Sequence, residues 1–480
     1  MGHEDGSRDP AAVPVAWVLS ARTSDGLRSR AARLSRQARA DTTTAVTEIG
    51  ARLVAGGTAF GERAVVVDDT REGLLAGLDA LAEGRDAPQL LTGAGGTGRR
   101  VVFVFPGQGT EWPGMASELL RTAPVFAASV RACERALAPY VDWSLEEVLT
   151  GADGAPPLDR VDVVQPALFA TMVSLAALWR SFGVVPDAVV GHSQGEIAAA
   201  YVAGALSLDD AARLVALRSR ALHAIRSKGG MVTVLAPDAQ VRAMLAGREG
   251  RLWVAAVNGP AALTVSGDLD ALSEFEAELS AARMLRWRLP GVDFAAHSGH
   301  VEAIRDEVLR LSESVRPHDP ESVRPHDSES VHPHDPESVR PHDSESVRPR
   351  GTGIAFYSSV TAGRVEASAL GGDYWYRNLR EPVRFQETAE ALIGDGHDIF
   401  VECGPQPVLT VGLQEIAERA RARAEFLAGL RRDEGGMRRF VGALGEAYVH
   451  GLPVDWRLLH PDAGQGTTVR DGYAVSAPGS

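Results

Sequence analysis

The chain has very little cysteine. Only Cys133 and Cys403 occur among 480 residues, and neither stands in zinc-ligand spacing. Two cysteines cannot build a disulfide framework, so the sequence excludes a disulfide-rich secreted domain and indicates a reducing cytoplasm. We predict no metal site.

Positive charge and long apolar runs are also scarce. Lysine and arginine number 49 against 63 acidic residues, for a net charge of −14. This balance disfavours nucleic acid or an anionic membrane as a partner. Residues 1–13 lack the apolar segment of a signal peptide, and the longest apolar run, 167–179, is interrupted by polar residues and too short to span a bilayer. We therefore expect a cytoplasmic protein with no membrane partner.

One turn carries a chemical signature. A short apolar strand, residues 188–190, runs into Gly191-His192-Ser193-Gln194-Gly195, and an alanine-rich helical segment follows at once. Glycines on both sides of a serine allow the sharp strand-to-helix turn that exposes a nucleophile. The helix that starts there directs unpaired N–H groups at the same point, as an oxyanion hole requires.

The rest of the chain is read as an α/β protein built from several units. Strands alternate with helices in the largest unit, which predicts a mostly parallel sheet of the hydrolase-like or patatin-like kind. A βαββαβ pattern inserted in it predicts a ferredoxin-like subdomain, and a ligand is expected in the cleft between the two. The predicted units are a disordered tail (1–13), a small α/β linker domain (14–98) closed by a glycine-rich hinge (92–98), the large subdomain (99–228 and 292–430), the small subdomain (229–291), a C-terminal linker (431–460) and a tail (461–480).

An eight-residue repeat fills residues 313–350. It contains five of the thirteen histidines, recurrent proline and alternating charge, with no helical or strand period. This composition predicts a solvated, disordered loop. Metal capture by the repeat histidines is the less favoured alternative.

A serine nucleophile needs a base, and two histidines are candidates. His192 adjoins Ser193, but neighbouring residues on an extended segment point to opposite faces. His297 stands where the chain re-enters the large unit, among small residues. Composition alone does not choose between a structural and a catalytic role for His297.

The ordered motifs resemble the acyltransferase domain of modular type I polyketide synthases, which is related to malonyl-CoA:acyl-carrier-protein transacylase. The resemblance covers about residues 101–410, and the flanks at 14–98 and 431–456 resemble the linkers before and after such a domain. It rests on Gly191 to Glu196, the Gly-Gln-Gly turn at 107–109 and the Val-Asp-Phe-Ala-Ala-His segment ending at His297.

The resemblance implies a set of site residues. Ser193 is the acylated nucleophile, His297 its base, and the backbone N–H groups of Gln108 and Gln194 form the oxyanion hole. The family orients the histidine with a backbone carbonyl, which we assign to Asn378, and Gln165 lines the pocket.

Arg218 and the residues near His297 indicate the substrate. Arg218 matches the arginine that holds the free carboxylate of a malonyl-type acyl group, which predicts an extender unit and not a monocarboxylic starter. Gln194 and the segment 161–166 resemble methylmalonyl-selective relatives, whereas Phe294 and Ala296 depart from their Val-Asp-Tyr-Ala-Ser-His pattern by losing two hydroxyl groups, which leaves a site compatible with a methyl branch. A hydrophobic pocket distinguishes one methylene by only about 1–3 kcal/mol. Malonyl, ethylmalonyl and starter acyl groups remain alternatives.

The predicted activity is transfer of the acyl group from CoA to the phosphopantetheine of an acyl carrier protein, with no tightly bound cofactor. A ketosynthase is a further expected partner, and both a discrete enzyme and a segment of a larger synthase fit. Two other classes stay open: a serine esterase, in which water replaces the carrier thiol, and a non-catalytic scaffold module.

Overall fold

The computed structural model of the chain describes residues 13–56, 59–313, 315 and 353–459. The tails predicted over 1–13 and 461–480 and the repeat over 313–350 lie outside these residues, apart from Val13, Glu313 and Val315.

The N-terminal unit is an antiparallel sheet with helices packed on it. Its elements are β1 (Val15–Ala21), α1 (Ser24–Ala40), α2 (Val46–Ala55), β2 (Glu62–Asp68), α3 (Arg71–Glu83) and β3 (Leu90–Ala94), with strand order β1-β2-β3. The third strand occupies part of the predicted hinge, so the expectation of a loop from residue 92 was wrong there. Gly93 explains the difference, because a Cβ at this position would lie 2.8 Å from the Val449 carbonyl oxygen. The strand needs glycine to approach the C-terminal helix.

The large subdomain begins with a buried strand and a group of helices. These are β4 (Val101–Phe105), α4 (Ser117–Thr122), α5 (Pro124–Leu137), α6 (Leu145–Thr150), α7 (Val161–Ser181), β5 (Ala188–Gly191), α8 (Gly195–Val202) and α9 (Leu208–Ala221). Helix α7 starts at Val161, earlier than the predicted 167, and includes Pro166. This is the one helix of the described residues that is long and apolar enough to cross a membrane, but 89% of its apolar window is buried inside the protein. It is therefore a core helix of this fold.

The inserted subdomain has the predicted ferredoxin-like order. Its elements are β6 (Gly229–Val234), α10 (Asp238–Leu245), β7 (Leu252–Gly259), β8 (Ala262–Asp268), α11 (Leu269–Ala281) and β9 (Arg286–Arg288). The four strands are antiparallel in the order β7-β8-β6-β9. Alternate apolar residues of these strands pack on the two helices around Phe275, which is fully buried.

The chain then completes the large sheet. The returning elements are α12 (Arg305–Ser312), β10 (Ala355–Ser358), β11 (Gly363–Val365), α13 (Gly372–Arg380), α14 (Phe385–Gly394), β12 (Ile399–Glu402), α15 (Thr410–Ala420), β13 (Glu425–Ala428) and α16 (Met437–Val449). The sheet order is β11-β10-β5-β4-β12-β13, with all pairs parallel except β10 with β11. The fold is thus the predicted α/β class with a mostly parallel sheet. The division of the chain at the predicted domain boundaries remains our proposal.

Candidate active site

Ser193 lies on the sharp turn between β5 and α8. Its backbone is left-handed, with φ of 54°. A Cβ on Gly191 would lie 2.2 Å from the Glu196 nitrogen, and a Cβ on Gly195 would lie 2.2 Å from the Phe105 carbonyl oxygen. Only glycine fits at either position, because the turn is pressed against both its own helix and strand β4. This packing holds the serine at the carboxyl edge of the sheet.

His297 is in hydrogen-bond contact with the serine. Its Nε2 lies 2.8 Å from Ser193 Oγ, and its Nδ1 lies 2.8 Å from the backbone oxygen of Glu381. A carbonyl can only accept, so Nδ1 carries the proton and Nε2 is left to accept from the serine hydroxyl. The pair therefore has the geometry and the tautomer that a serine nucleophile with a histidine base requires.

The carbonyl that orients His297 is not the predicted one. Asn378 lies within α13, whereas Glu381 is the first residue after this helix and has extended backbone with ψ of 157°. Residues that precede proline favour this conformation, and Pro382 follows Glu381. The helix end and the proline turn the Glu381 carbonyl outward toward the imidazole, so the assignment to Asn378 was wrong.

The imidazole of His297 is almost completely buried, with 3% of the residue exposed. Burial lowers its pKa to about 3, and the charges of His192 and Arg218 act in the same direction, against the hydrogen bond to Glu381. The ring is therefore neutral at physiological pH. Its backbone N–H donates to the Leu379 oxygen at 2.9 Å, which fixes the residue at a left-handed φ of 55°.

A cavity of about 280 Å³ opens beside the serine, between the two subdomains. The large subdomain supplies the wall that carries the serine, the histidine and Arg218. The small subdomain supplies an apolar wall that includes Met231, Trp287 and Leu289. The cleft predicted between the two units is therefore present.

Arg218 lies in this cavity on α9, with 1% of the residue exposed. Its Nη1 donates to Asn378 Oδ1 at 2.6 Å, while its Nε has no partner among the described residues. Burial lowers its pKa to about 10, partly offset by the charge of Glu196, so the guanidinium stays protonated at neutral pH. A buried cation with a free N–H is suited to bind an anionic group.

Three predicted glutamines meet at the same cavity. Gln165 Nε2 lies 3.4 Å from Gln108 Oε1, and the side-chain oxygens of Gln165 and Gln194 are buried without partners among the described residues. Both Gln108 and Gln194 line the cavity beside the serine. Their assignment as oxyanion donors stays a prediction.

Phe294 and Ala296 are buried cavity residues as well. They are 3% and 5% exposed and pack in one apolar cluster with Met231 and Leu379. The side of the cavity next to His297 is thus apolar.

A contact that was not predicted joins the two subdomains at the nucleophile. His192 Nε2 lies 2.8 Å from Asn258 Oδ1, and the ring packs on Phe385 with 5.7 Å between centroids. His192 is thus turned away from the dyad. No local pattern in the sequence indicates a contact between two residues that are 66 positions apart.

No group of three or more histidine, cysteine or acidic side chains suited to a metal ion occurs within residues 13–56, 59–313, 315 and 353–459. The repeat histidines proposed as an alternative metal site, such as His326, lie outside that part of the chain.

Comparison with known proteins identifies the family. The model of the acyl transferase domain family matches residues 102–345 and 337–454. Polyketide synthase GfsB of Streptomyces halstedii is 49% identical over 95% of the chain, and erythronolide synthase EryA3 of Saccharopolyspora erythraea is 46% identical over 95%. The chain spans only 8% of the first relative and 13% of the second.

Solved structures agree with the sequence comparison. The acyltransferase domain from module 8 of the salinomycin polyketide synthase superposes with a TM-score of 0.82, at 45% identity, and covers 93% of this chain and 98% of that one. The loading acyltransferase of the avermectin synthase gives a TM-score of 0.64 at 44% identity, over 72% of this chain and 99% of that one. The chain therefore belongs to the acyltransferase domain family of modular polyketide synthases.

Proposed function

We propose that the chain transfers a carboxylated acyl group from CoA to the phosphopantetheine thiol of an acyl carrier protein. The observation that carries this proposal is the pairing, in one cavity, of the Ser193–His297 dyad with Arg218, a buried cation whose Nε has no described partner. The dyad accounts for acyl transfer, and the cation accounts for a free carboxylate on the acyl group.

The reaction follows from the dyad geometry in two half-reactions. His297 Nε2 accepts the serine proton as Ser193 Oγ attacks the thioester carbon. The resulting oxyanion is placed on the backbone N–H groups of Gln108 and Gln194, the C–S bond breaks, and His297 returns the proton to the CoA thiolate. In the second half-reaction the carrier thiol gives its proton to His297 Nε2 as its sulfur attacks the acyl-serine carbon, the C–Oγ bond breaks, and His297 returns the proton to Ser193 Oγ. No metal or tightly bound cofactor takes part in this scheme.

Arg218 selects the acyl group by charge. A substrate carboxylate that reaches the guanidinium forms charge-assisted hydrogen bonds to a buried group, where they are stronger than at the surface. A monocarboxylic acyl group leaves the buried cation unpaired. An esterase that acts on neutral esters would gain nothing from a contact between Arg218 and a carboxylate. A non-catalytic scaffold would have no use for the intact Ser193–His297 dyad.

The extender that we propose is methylmalonyl. The apolar wall formed by Phe294 and Ala296 lacks hydroxyl groups and suits a methyl branch. The acyltransferase domain of SpnD, 27% identical with a TM-score of 0.76, is described as a complex with 2-(pent-4-yn-1-yl)malonyl, a malonyl group branched at the same carbon. A branched malonyl group on this fold is therefore chemically reasonable. Malonyl and ethylmalonyl are the competing outcomes.

The test offers malonyl-, methylmalonyl-, ethylmalonyl- and propionyl-CoA in competition and weighs the acyl-enzyme by intact-protein mass spectrometry. We expect methylmalonyl to predominate, with no adduct in Ser193→Ala. Arg218→Ala should reduce the dicarboxylic adducts about tenfold to a hundredfold relative to propionyl, from the loss of hydrogen bonds to a charged group.

The matched control is Arg220→Ala, an exposed arginine on the same helix. An equal preference for propionyl in the wild type would contradict the substrate class. Rapid release of the acyl group to water, with no loading of a phosphopantetheinylated carrier, would favour the esterase. Binding of a carrier or ketosynthase without any adduct would favour the scaffold.

The setting that we propose is cytoplasmic, with an acyl carrier protein and a ketosynthase as partners, and with neither nucleic acid nor membrane. The chain spans only 8% of the length of GfsB, which supports the proposal that it acts together with other synthase domains.

A further inference from the structure

Behind the cavity wall, a buried polar chain runs from Arg218 to a carboxylate. Arg218 Nη1 donates to Asn378 Oδ1 at 2.6 Å, and Asn378 Nδ2 donates to Glu196 Oε2 at 3.0 Å. All three residues are no more than 2% exposed. Among these three residues, only Arg218 has a role in the proposed function.

Glu196 is held as an anion by its surroundings. One of its oxygens accepts from the backbone N–H and hydroxyl of Ser359, and the other accepts from Tyr374 and Asn378. Every one of these partners is a donor, which favours the charged form. Burial raises the pKa of Glu196 to about 6, against these hydrogen bonds, so the group is still ionised at neutral pH. It is thus the buried negative charge that balances Arg218 across one amide.

The amide of Asn378 can adopt only one orientation. Its oxygen faces the guanidinium and its nitrogen faces the Glu196 carboxylate and the Ser193 backbone oxygen, which lies 3.2 Å away. A flipped amide would set donor against donor at Arg218 and acceptor against acceptor at Glu196. Nη1 is occupied by this contact and Nε is buried without a partner among the described residues, so Asn378 fixes how the guanidinium is held in the cavity wall.

We propose that Asn378 and Glu196 are positioning residues that hold the Arg218 guanidinium in the cavity wall where it can meet the acyl carboxylate, and that they thereby set the preference for dicarboxylic over monocarboxylic acyl groups. Glu196 fixes the Asn378 amide and stabilises the buried cation while the cavity is empty. Asn378 also ties this arrangement to the nucleophile through the Ser193 oxygen. The inference rests on the proposed function.

The experiment measures kcat/KM for acylation by methylmalonyl-CoA and by propionyl-CoA, and the readout is their ratio. Asn378→Ala removes the contact to Nη1, so we expect the ratio to fall about tenfold to a hundredfold. If loss of the Asn378 contact with the Ser193 backbone oxygen slows acylation, it should lower kcat/KM for both substrates equally and leave their ratio unchanged. A purely structural role would lower both rates alike.

Two further variants test the contributions of Asn378 and Glu196 separately. Asn378→Asp is isosteric and keeps an acceptor for Arg218, but its charge competes with the substrate carboxylate, so the ratio should again fall at least tenfold. Glu196→Gln keeps the shape, turns an NH2 group toward the Asn378 amide and should also lower the ratio.

Tyr374→Phe is the control. It removes one donor to Glu196 and leaves Asn378 and Arg218 in contact, so the ratio should stay within about twofold of wild type.

The outcomes distinguish the two proposals. If Arg218→Ala lowers the ratio while Asn378→Ala and Asn378→Asp leave it unchanged, the positioning role is wrong and the proposed function stands. If Arg218→Ala itself leaves the ratio unchanged, the substrate class of the proposed function is wrong. Acylation by propionyl-CoA, measured for every variant, shows that the dyad is folded and active.

Discussion

The two walls of the cavity are built in opposite ways. The wall from the large subdomain carries the reacting groups and most of the buried polar side chains, such as His297 between Ser193 and the Glu381 carbonyl, although Phe294 adds apolar surface to it. The wall from the small subdomain is largely apolar, and its Trp287 is 49% exposed. The first wall resists change because any removed group leaves a buried partner unsatisfied, whereas the second offers area and shape. We therefore expect chemistry to depend on one wall and binding on the other.

The largest difference between the walls should appear on removal of the base. His297→Ala leaves Ser193 without a proton acceptor, so we expect kcat for acyl transfer to fall about 10²–10⁴-fold. Thr233→Val on the opposite wall, which breaks only a 3.2 Å hydroxyl contact with Thr264, should change kcat less than about threefold. Comparable losses in the two variants, measured by single-turnover acylation, would remove the distinction.

The next effect concerns how the polar wall is held. Glu402 ends strand β12, is 2% exposed and accepts from the backbone N–H groups of Val408, Leu409 and Thr410 at the start of α15. Glu402→Ala leaves these donors without their acceptor, and we expect the free energy of unfolding to fall by about 3 kcal/mol. Denaturant titration measures this, with Glu418→Ala on the exposed part of α15 as control.

The pH dependence of stability provides a second check on Glu402. Burial outweighs its hydrogen bonds and raises the pKa to about 7 from 4.5. Between these values the folded chain binds a proton that the unfolded chain has lost, so this group lowers stability as pH rises from 4.5 to 7. Glu402→Ala should lack this component; a wild-type slope in the variant would assign it to other groups.

A smaller effect is expected on the apolar wall. Trp287 leaves about half of its indole exposed at the cavity, where a bound acyl-CoA can cover part of it. Trp287→Ala removes this contact, worth about 1 kcal/mol, so KM for acyl-CoA should rise about fivefold with kcat unchanged. Leu285→Ala, 69% exposed and not part of the cavity lining, should leave KM unchanged. A fall in kcat for Trp287→Ala would mean that this wall also positions the reacting groups.

The smallest expected effect is a flat pH profile. Because burial lowers the pKa of His297 to about 3, the ring is already neutral where an ordinary imidazole would be protonated. We expect kcat/KM for acylation by propionyl-CoA to be level across roughly pH 5.5–7.5, the range in which an unperturbed histidine titrates. Propionyl-CoA is used because it does not need Arg218, whose partner Glu196 has a pKa of about 6. An acid limb with a midpoint near the ordinary pKa of histidine would show that the ring is more hydrated than its burial indicates.

The lowered pKa of His297 also affects stability. Below pH 6.5 the unfolded chain gains a proton at this residue that the folded chain does not, so the free energy of unfolding falls as the pH falls.

The parts of the site that could be predicted are those written in contiguous motifs. The Gly-x-Ser-x-Gly turn, the histidine and Arg218 each occupy recognisable positions, and the alternation of strands and helices indicated the sheet that collects them. Glu381 could have been found too, since the helix stop at Glu381-Pro382 marks where a carbonyl is freed. The choice of Asn378 failed because it placed the orienting backbone carbonyl within α13, three residues before the position at which the helix ends.

Other features depend on packing that no local pattern records. Strand β3 lies in a glycine-rich stretch typical of a hinge, and its identity depends on helix α16, whose Val449 is distant in sequence. The link between His192 and Asn258 and the Glu196 network likewise join segments from separate elements. Such contacts are set by the tertiary fold and not by local preference.

Ser193 and His297 share a property that separates them from most of the chain: both hold a left-handed backbone, with φ of 54° and 55°. This conformation is unfavourable for residues with a side chain by about 1–2 kcal/mol, and glycine would relieve it. Each half of the dyad therefore sits where the fold would be more relaxed without the reactive group. In evolutionary terms, a copy of this domain released from selection for catalysis is expected to drift toward glycine at 193 and 297, becoming inactive without unfolding.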